Sequence, residues 1–216
     1  MTQNTLAQAK LRLAMFAGVS MLAMAPAAHA VVVTYSGPPL AVTNDINGLY
    51  VNVVTGATGS AIAPAGWDFN VYNNNAGLTF FTRSADTANA YVGTGTGLTA
   101  AVAALPLGTT IGGGSSYASL GQVQGLAFQT PGNRYFGFRF TNEAGGTTHY
   151  GYALLSSGAT VGFPASIISY AFESTPNLPI TIPVPIPEPG TYALMALGLV
   201  AVGGIAARRR KAVTTA

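Results

Sequence analysis

In four stretches of this chain large apolar residues recur at every second position. Trp67, Phe69 and Val71 alternate with Asp68, Asn70 and Tyr72, and Phe136, Phe138 and Phe140 with Tyr135, Gly137 and Arg139. Tyr150, Tyr152 and Leu154 alternate with His149, Gly151 and Ala153, and Ile168, Tyr170 and Phe172 continue the series. A period of two belongs to a strand whose two faces meet different surroundings. Further strands are expected over Val31–Tyr35, Leu49–Val54, Leu78–Thr82 and Gln122–Gln129. Asn73–Gly77 and Asn142–Gly146 supply turn residues between neighbouring runs. Roughly eight short strands of this kind predict an all-β fold, an antiparallel β-sandwich, with a jelly roll as first choice and an immunoglobulin-like order as second. One helix is expected around Leu98–Leu105, stopped by Pro106, and Gly108–Ser116 reads as a mobile surface loop.

Beyond the strands the chain changes character. Prolines at 176, 179, 183, 185, 187 and 189 forbid a helix and favour extended polyproline II, a spacer of roughly 40 Å at about 3.1 Å per residue. Thr191–Ala207 then carries no charge, and as a helix at about 1.5 Å per residue it would reach roughly 25 Å, near the lower limit for crossing a bilayer. Arg208, Arg209, Arg210 and Lys211 close it with a basic stop that orients this end to the cytoplasm. A GPI signal would end in its apolar tail without such a cluster.

Pro187, Glu188 and Pro189, the apolar stretch 191–207 and the basic cluster 208–211, in that order, resemble the PEP-CTERM sorting signal of Gram-negative bacteria. The resemblance implies that exosortase, a membrane-embedded cysteine transpeptidase, recognises the motif and cleaves near it. The domain in front of the motif would then pass to the cell surface or extracellular matrix. The softer series Tyr135–Phe140, Thr148–Tyr152 and Tyr170–Glu173 resembles exported β-domains with the same tail and implies architecture alone.

The other end reads as a signal peptide. Lys10 and Arg12 give its positive region, Leu13–Met24 its apolar core, and Ala28 and Ala30 flank His29 as a small-x-small cleavage site, so that Val31 becomes the first mature residue. The expected division is a signal peptide at 1–30, an exported β-sandwich at 31–173 and a proline-rich stalk at 174–186. The sorting signal follows at 187–211 and a short cytoplasmic tail at 212–216.

The formal net charge of +3 comes from these two ends. Between residues 31 and 186 only Arg83, Arg134 and Arg139 stand against Asp45, Asp68, Asp86, Glu143 and Glu173, a net charge of −2. A nucleic-acid partner is not expected on that balance. Without cysteine the domain has neither disulfides nor thiolate metal sites.

Catalytic chemistry is hard to assemble from what remains. His149 is the lone histidine after the leader, which excludes a two-histidine metal site within one chain, and no Gly-x-Ser-x-Gly elbow occurs. A hydrogen-bonded rim position is the expectation for His149. No spacing singles out a glycosidase pair among the five carboxylates. Asp45 with Asn44 and Asn47 offers oxygens to Ca²⁺, though an Asx turn uses the same residues. Gly93–Gly97 lacks the Gly-Lys-Ser/Thr ending of a phosphate loop and reads as a flexible loop. Tyr72, Tyr150 and Tyr152, with Asn73–Asn75, are candidate contacts for a sugar ring. The expectation is therefore a non-enzymatic surface or matrix protein without cofactor or metal. Its partners would be exosortase, the inner membrane as transient anchor and an extracellular polysaccharide; a lectin-like module, Ca-dependent in one version, is the alternative, and a glycoside hydrolase a third.

Overall fold

The computed structural model describes residues 31–83, 88–118, 121–185 and 194–200. Its strands run in order as β1 (Val32–Tyr35), β2 (Leu40–Val42), β3 (Leu49–Val51), β4 (Thr58–Gly59), β5 (Phe69–Asn73), β6 (Leu78–Phe81), β7 (Ala90–Tyr91) and β8 (Gly93–Thr94). There follow β9 (Ala101–Val102), β10 (Thr110–Ile111), β11 (Gln122–Gln124), β12 (Gly132–Asn142), β13 (Thr147–Gly158), β14 (Gly162–Glu173) and β15 (Ile180–Thr181). One sheet has the order β1-β14-β13-β12-β7, with β2 following β1 along the same edge of β14. Pro38 and Pro39 interrupt that edge, since proline cannot donate to a ladder. The other sheet has the order β4-β3-β5-β6-β11-β9-β8, antiparallel except where Ala101 meets Gln124.

The sheets pack face to face on an aromatic core. Phe136 of the first sheet lies 5.5 Å from Phe69 and 5.1 Å from Phe80 of the second, both edge-on, the geometry that ring quadrupoles favour. Each such ring taken from water contributes about 1.5–3 kcal/mol, and this apolar burial offsets the entropy of ordering a chain without cross-links. The Tyr91 hydroxyl adds a polar tie between the layers. It accepts from the Asn70 N–H at 3.2 Å and lies 2.9 Å from the Phe81 carbonyl, which accepts its proton. Burial pushes this phenol far up from its usual range.

In the middle of the central strand the inward residues are the small ones, Gly151 and Ala153. Phe138 and Phe172 both pair with Gly151, and Phe136 and Tyr170 both pair with Ala153, so rings from the neighbouring strands close over β13. A Cβ at Gly151 would stand 2.5 Å from the Phe138 ring. The expected apolar face of Tyr150, Tyr152 and Leu154 is thus the outer one. Tyr150 is buried there by a second, smaller core of Ile111, Ala171, Ile180 and Ile182.

Several expectations need correction. The sandwich is present, but β12, β13 and β14 are successive neighbours in one sheet, whereas a jelly roll or constant-type immunoglobulin sheet draws neighbours from separated parts of the chain. Ile168 does not share a face with Tyr170 and Phe172. Leu154 pairs with Ser169 and Leu155 with Ile167, leaving Ile168 as the extra residue of a bulge and turning Ile167 inward. Trp67 precedes β5 and packs on Tyr50 and Phe81, away from the core face of Phe69. No helix forms at Leu98–Leu105. A 3₁₀ turn at Gly97–Thr99 leads into β9, with Ala100 and Val102 buried at a spacing of two, because so short a run cannot offset helix nucleation when strand partners are at hand. Gln122–Gln129 is a strand only to Gln124, then a 3₁₀ turn at Leu126–Phe128. The glycine loop at Gly108–Ser116 contains β10 and is pinned: Gly112 N–H donates to Ser115 Oγ at 3.1 Å, and the Tyr117 hydroxyl donates to the Gly112 carbonyl at 2.8 Å.

Candidate functional site

The tail leaves the sandwich later than the prolines suggest. Thr181 pairs with Thr110 and Ile180 with Ile111, and the chain bonds once more at Ile182, whose N–H donates to the Thr109 carbonyl and whose carbonyl accepts from Gly108, both at 2.9 Å. Ile180 and Ile182 are buried, so the folded body continues to Ile182, within the span expected to be free stalk. The alternation of isoleucine with threonine and proline there is itself a strand signal. Beyond it Pro183 and Pro185 line an apolar groove of about 790 Å³ with Leu105, Pro106, Leu107 and Tyr135.

Residues 194–200 are helical, and their side chains belong to neither core: Leu194 is 72% exposed and Val200 73%. Such exposure of consecutive large apolar residues is foreign to a water-facing helix. Among the described residues no helix is long and apolar enough to cross a membrane; residues 194–200 are the only described part of the expected span 191–207. The sorting residues Pro187, Glu188 and Pro189, the basic residues Arg208, Arg209, Arg210 and Lys211, and the cleavage residues Ala28 and Ala30 lie outside the described residues.

The sandwich does not bring the candidate sugar contacts together. Tyr72 lies on the outer face of the second sheet and is buried, its hydroxyl pKa raised by burial and by nearby Tyr50. Tyr150 lies on the first sheet, also buried, and Tyr152 beside it is half-buried, its edge against Tyr135 at 5.8 Å. Burial and then Tyr135 raise the Tyr152 pKa. The sequence reading missed a different surface. Tyr50, Trp67 and Phe81, all partly exposed, form a continuous aromatic strip, with Tyr50 and Trp67 4.9 Å apart edge-on and Trp67 and Phe81 6.2 Å apart near-parallel. Tyr50, Asn70 and Phe81 are register partners across three strands, which no single alternating window reveals. The Arg83–Glu143 ion pair, 3.1 Å long, borders the strip through Glu143, which lies against Gly66.

The titratable groups are engaged in holding backbone. His149 is buried and stacks on Phe140, with Nδ1 2.8 Å from the Glu173 carbonyl and Nε2 2.9 Å from Thr147 Oγ1. A carbonyl only accepts, so Nδ1 carries a proton, while Nε2 bonds the threonine hydroxyl, which can serve as donor or acceptor. Both nitrogens are thereby spent on structure. Asp45 Oδ1 accepts from the N–H groups of Asn47 and Gly48 at 2.8 and 2.9 Å, an Asx turn that also holds its pKa below the usual value, the Gly48 bond foremost. Asn44 Oδ1 accepts from Asn73 Nδ2. Among the described residues no three of His, Asp and Glu cluster as metal ligands would. Asp68 and Glu173 are both buried; Asp68 accepts from the Val53 N–H at 2.8 Å.

Fold and tail define an all-β domain with a C-terminal apolar segment that packs on neither core. The tail carries a recognised motif: a family model described as the PEP-CTERM protein-sorting motif matches residues 185–211. No curated protein and no solved structure matches the chain. The motif implies export, exosortase processing and delivery to the cell surface or extracellular space.

Proposed function

We propose that this chain is a non-enzymatic component of the cell surface or extracellular matrix, exported through an N-terminal signal peptide. It would be held briefly in the inner membrane by residues 191–207 and released from there by exosortase. The observation that carries this reading is the sorting motif at 185–211 joined to a helical segment whose large apolar side chains are exposed. The engagement of His149 and Asp45 in backbone bonds supports a structural rather than catalytic role. Deleting residues 187–211 tests the sorting step. Surface display is expected to disappear, with the domain in the periplasm or medium; undiminished display rejects the reading. Pro187→Ala or Glu188→Ala is expected to leave an unprocessed membrane form.

A second reading concerns what the domain holds. The strip of Tyr50, Trp67 and Phe81 favours stacking against a neutral sugar ring, because its rings are partly exposed and adjoining. Binding of the exported protein on a glycan array that is lost on Trp67→Ala supports it. Binding indifferent to Trp67, or no binding with or without calcium, removes it.

A further inference from the structure

Glu173 ends β14 with 1% of its surface exposed. Its Oε1 accepts from the Thr175 N–H at 2.8 Å and from the backbone nitrogen of Val31 at 3.1 Å. Among the described residues the one ion pair joins Arg83 to Glu143, so the Glu173 carboxylate has amide donors and no cation. Burying a carboxylate is costly even with amide dipoles around it, and an opposite charge in contact would stabilise it further. The position of Val31 is fixed by the ladder that follows it. Val32 pairs with Glu173 in β1 and β14, and the Val31 carbonyl accepts from Ser174 N–H at 3.0 Å. The first strand thus delivers the Val31 nitrogen to this carboxylate, at the residue where the small-x-small rule places the new chain end.

We propose that leader removal supplies the missing cation: hydrolysis between Ala30 and Val31 turns the Val31 amide into an α-ammonium that pairs with the buried Glu173 carboxylate. In that step signal peptidase and water break the peptide bond. The water oxygen stays with Ala30 as carboxylate, and the Val31 nitrogen gains the hydrogens that make it –NH₃⁺. The contact changes from a neutral-donor bond into a charge-assisted one, shorter and roughly twice as strong. Cleavage then completes the native state, and the unprocessed chain carries a domain that is less stable for want of one charge. The proposal rests on the signal-peptide reading.

The test uses the full chain produced in an exporting Gram-negative host, beside a version with Ala and Ser inserted after Ala30, so that the processed ammonium lies two residues upstream and the Val31 nitrogen stays an amide. Mass spectrometry fixes each new N-terminus, and thermal unfolding is measured for both with and without Glu173→Gln. With Val31 terminal, Glu173→Gln is expected to lower Tm by about 3–8 °C. In the extended form it should change Tm little or raise it, since glutamine keeps the amide bonds and removes the unpaired charge. Equal losses in the two backgrounds, or misfolding of the glutamine variant in both alike, overturn the pairing while leaving the leader reading intact. A native N-terminus other than Val31 overturns the leader reading, and the pairing with it.

Discussion

The guanidinium of Arg139 lies 4.4 Å above the ring of Tyr117, joining the middle of β12 to the end of the glycine loop. Its Nε is buried without a hydrogen-bond partner, so the contact with the ring face contributes to holding this side chain. Lysine carries the same charge but cannot lie flat on a ring. Arg139→Lys is expected to cost about 0.5–2 kcal/mol, read from urea unfolding. A variant as stable as the parent would show that the stack contributes nothing.

Alkaline pH should weaken the fold through its phenols. Burial pushes the Tyr117 and Tyr170 hydroxyls up to about 12, in the latter case with Tyr35 stacked at 4.9 Å as the next cause. Both folded values lie above the unfolded one. Their contribution is therefore whole below pH of about 10, where neither state ionises. It is lost as pH rises from there to about 12, because the unfolded chain releases its protons first. Denaturant midpoints taken stepwise across this window should fall, alongside phenolate absorbance. Flat or rising midpoints would contradict the assignment.

Gly151→Ala probes the closeness of the ring layer. The new Cβ would meet the Phe138 ring at 2.5 Å and the Ala171 carbonyl at 2.8 Å, one of them backbone. A loss of about 1–3 kcal/mol is expected. Gly114→Ala, with nothing within 4 Å, is the matched control and should be near neutral.

The β10–β15 clip is expected to open separately from the sandwich. Placing a charge at the buried Ile182 by Ile182→Asp should speed hydrogen exchange at the Gly108 and Ile182 amides at least about tenfold, the equivalent of 1.4 kcal/mol of local stability. The Tyr91 and Asn70 amides, deep between the sheets, should keep their protection. Uniform acceleration would show that clip and sandwich unfold as one.

Alternation was legible wherever a strand has one core face: Phe136, Phe138 and Phe140 point inward as the period demands. It misled on β13, where tyrosines share the outer face and are covered by a loop and β15, because hydrophobicity alone does not say which of two covered faces is the main core. The bulge at Ile168 was hidden for a related reason, since an extra residue leaves no compositional mark. The sorting tail is legible as order and spacing of residue types and needs no tertiary contact. The aromatic strip is the opposite case. Tyr50, Trp67 and Phe81 come from separate segments, and only register makes them neighbours.

The late exit of the chain has a geometric consequence for its delivery. From Ile182 to Pro187 there are four intervening residues, which fully stretched reach no more than roughly 17 Å across the five steps. On the proposed anchoring the lipid begins at Thr191, so the chain beyond Ile182 spans at most roughly 30 Å between the sandwich and the membrane. On that proposal exosortase would reach its motif beneath a folded body, and unfastening β15 would lengthen the tether.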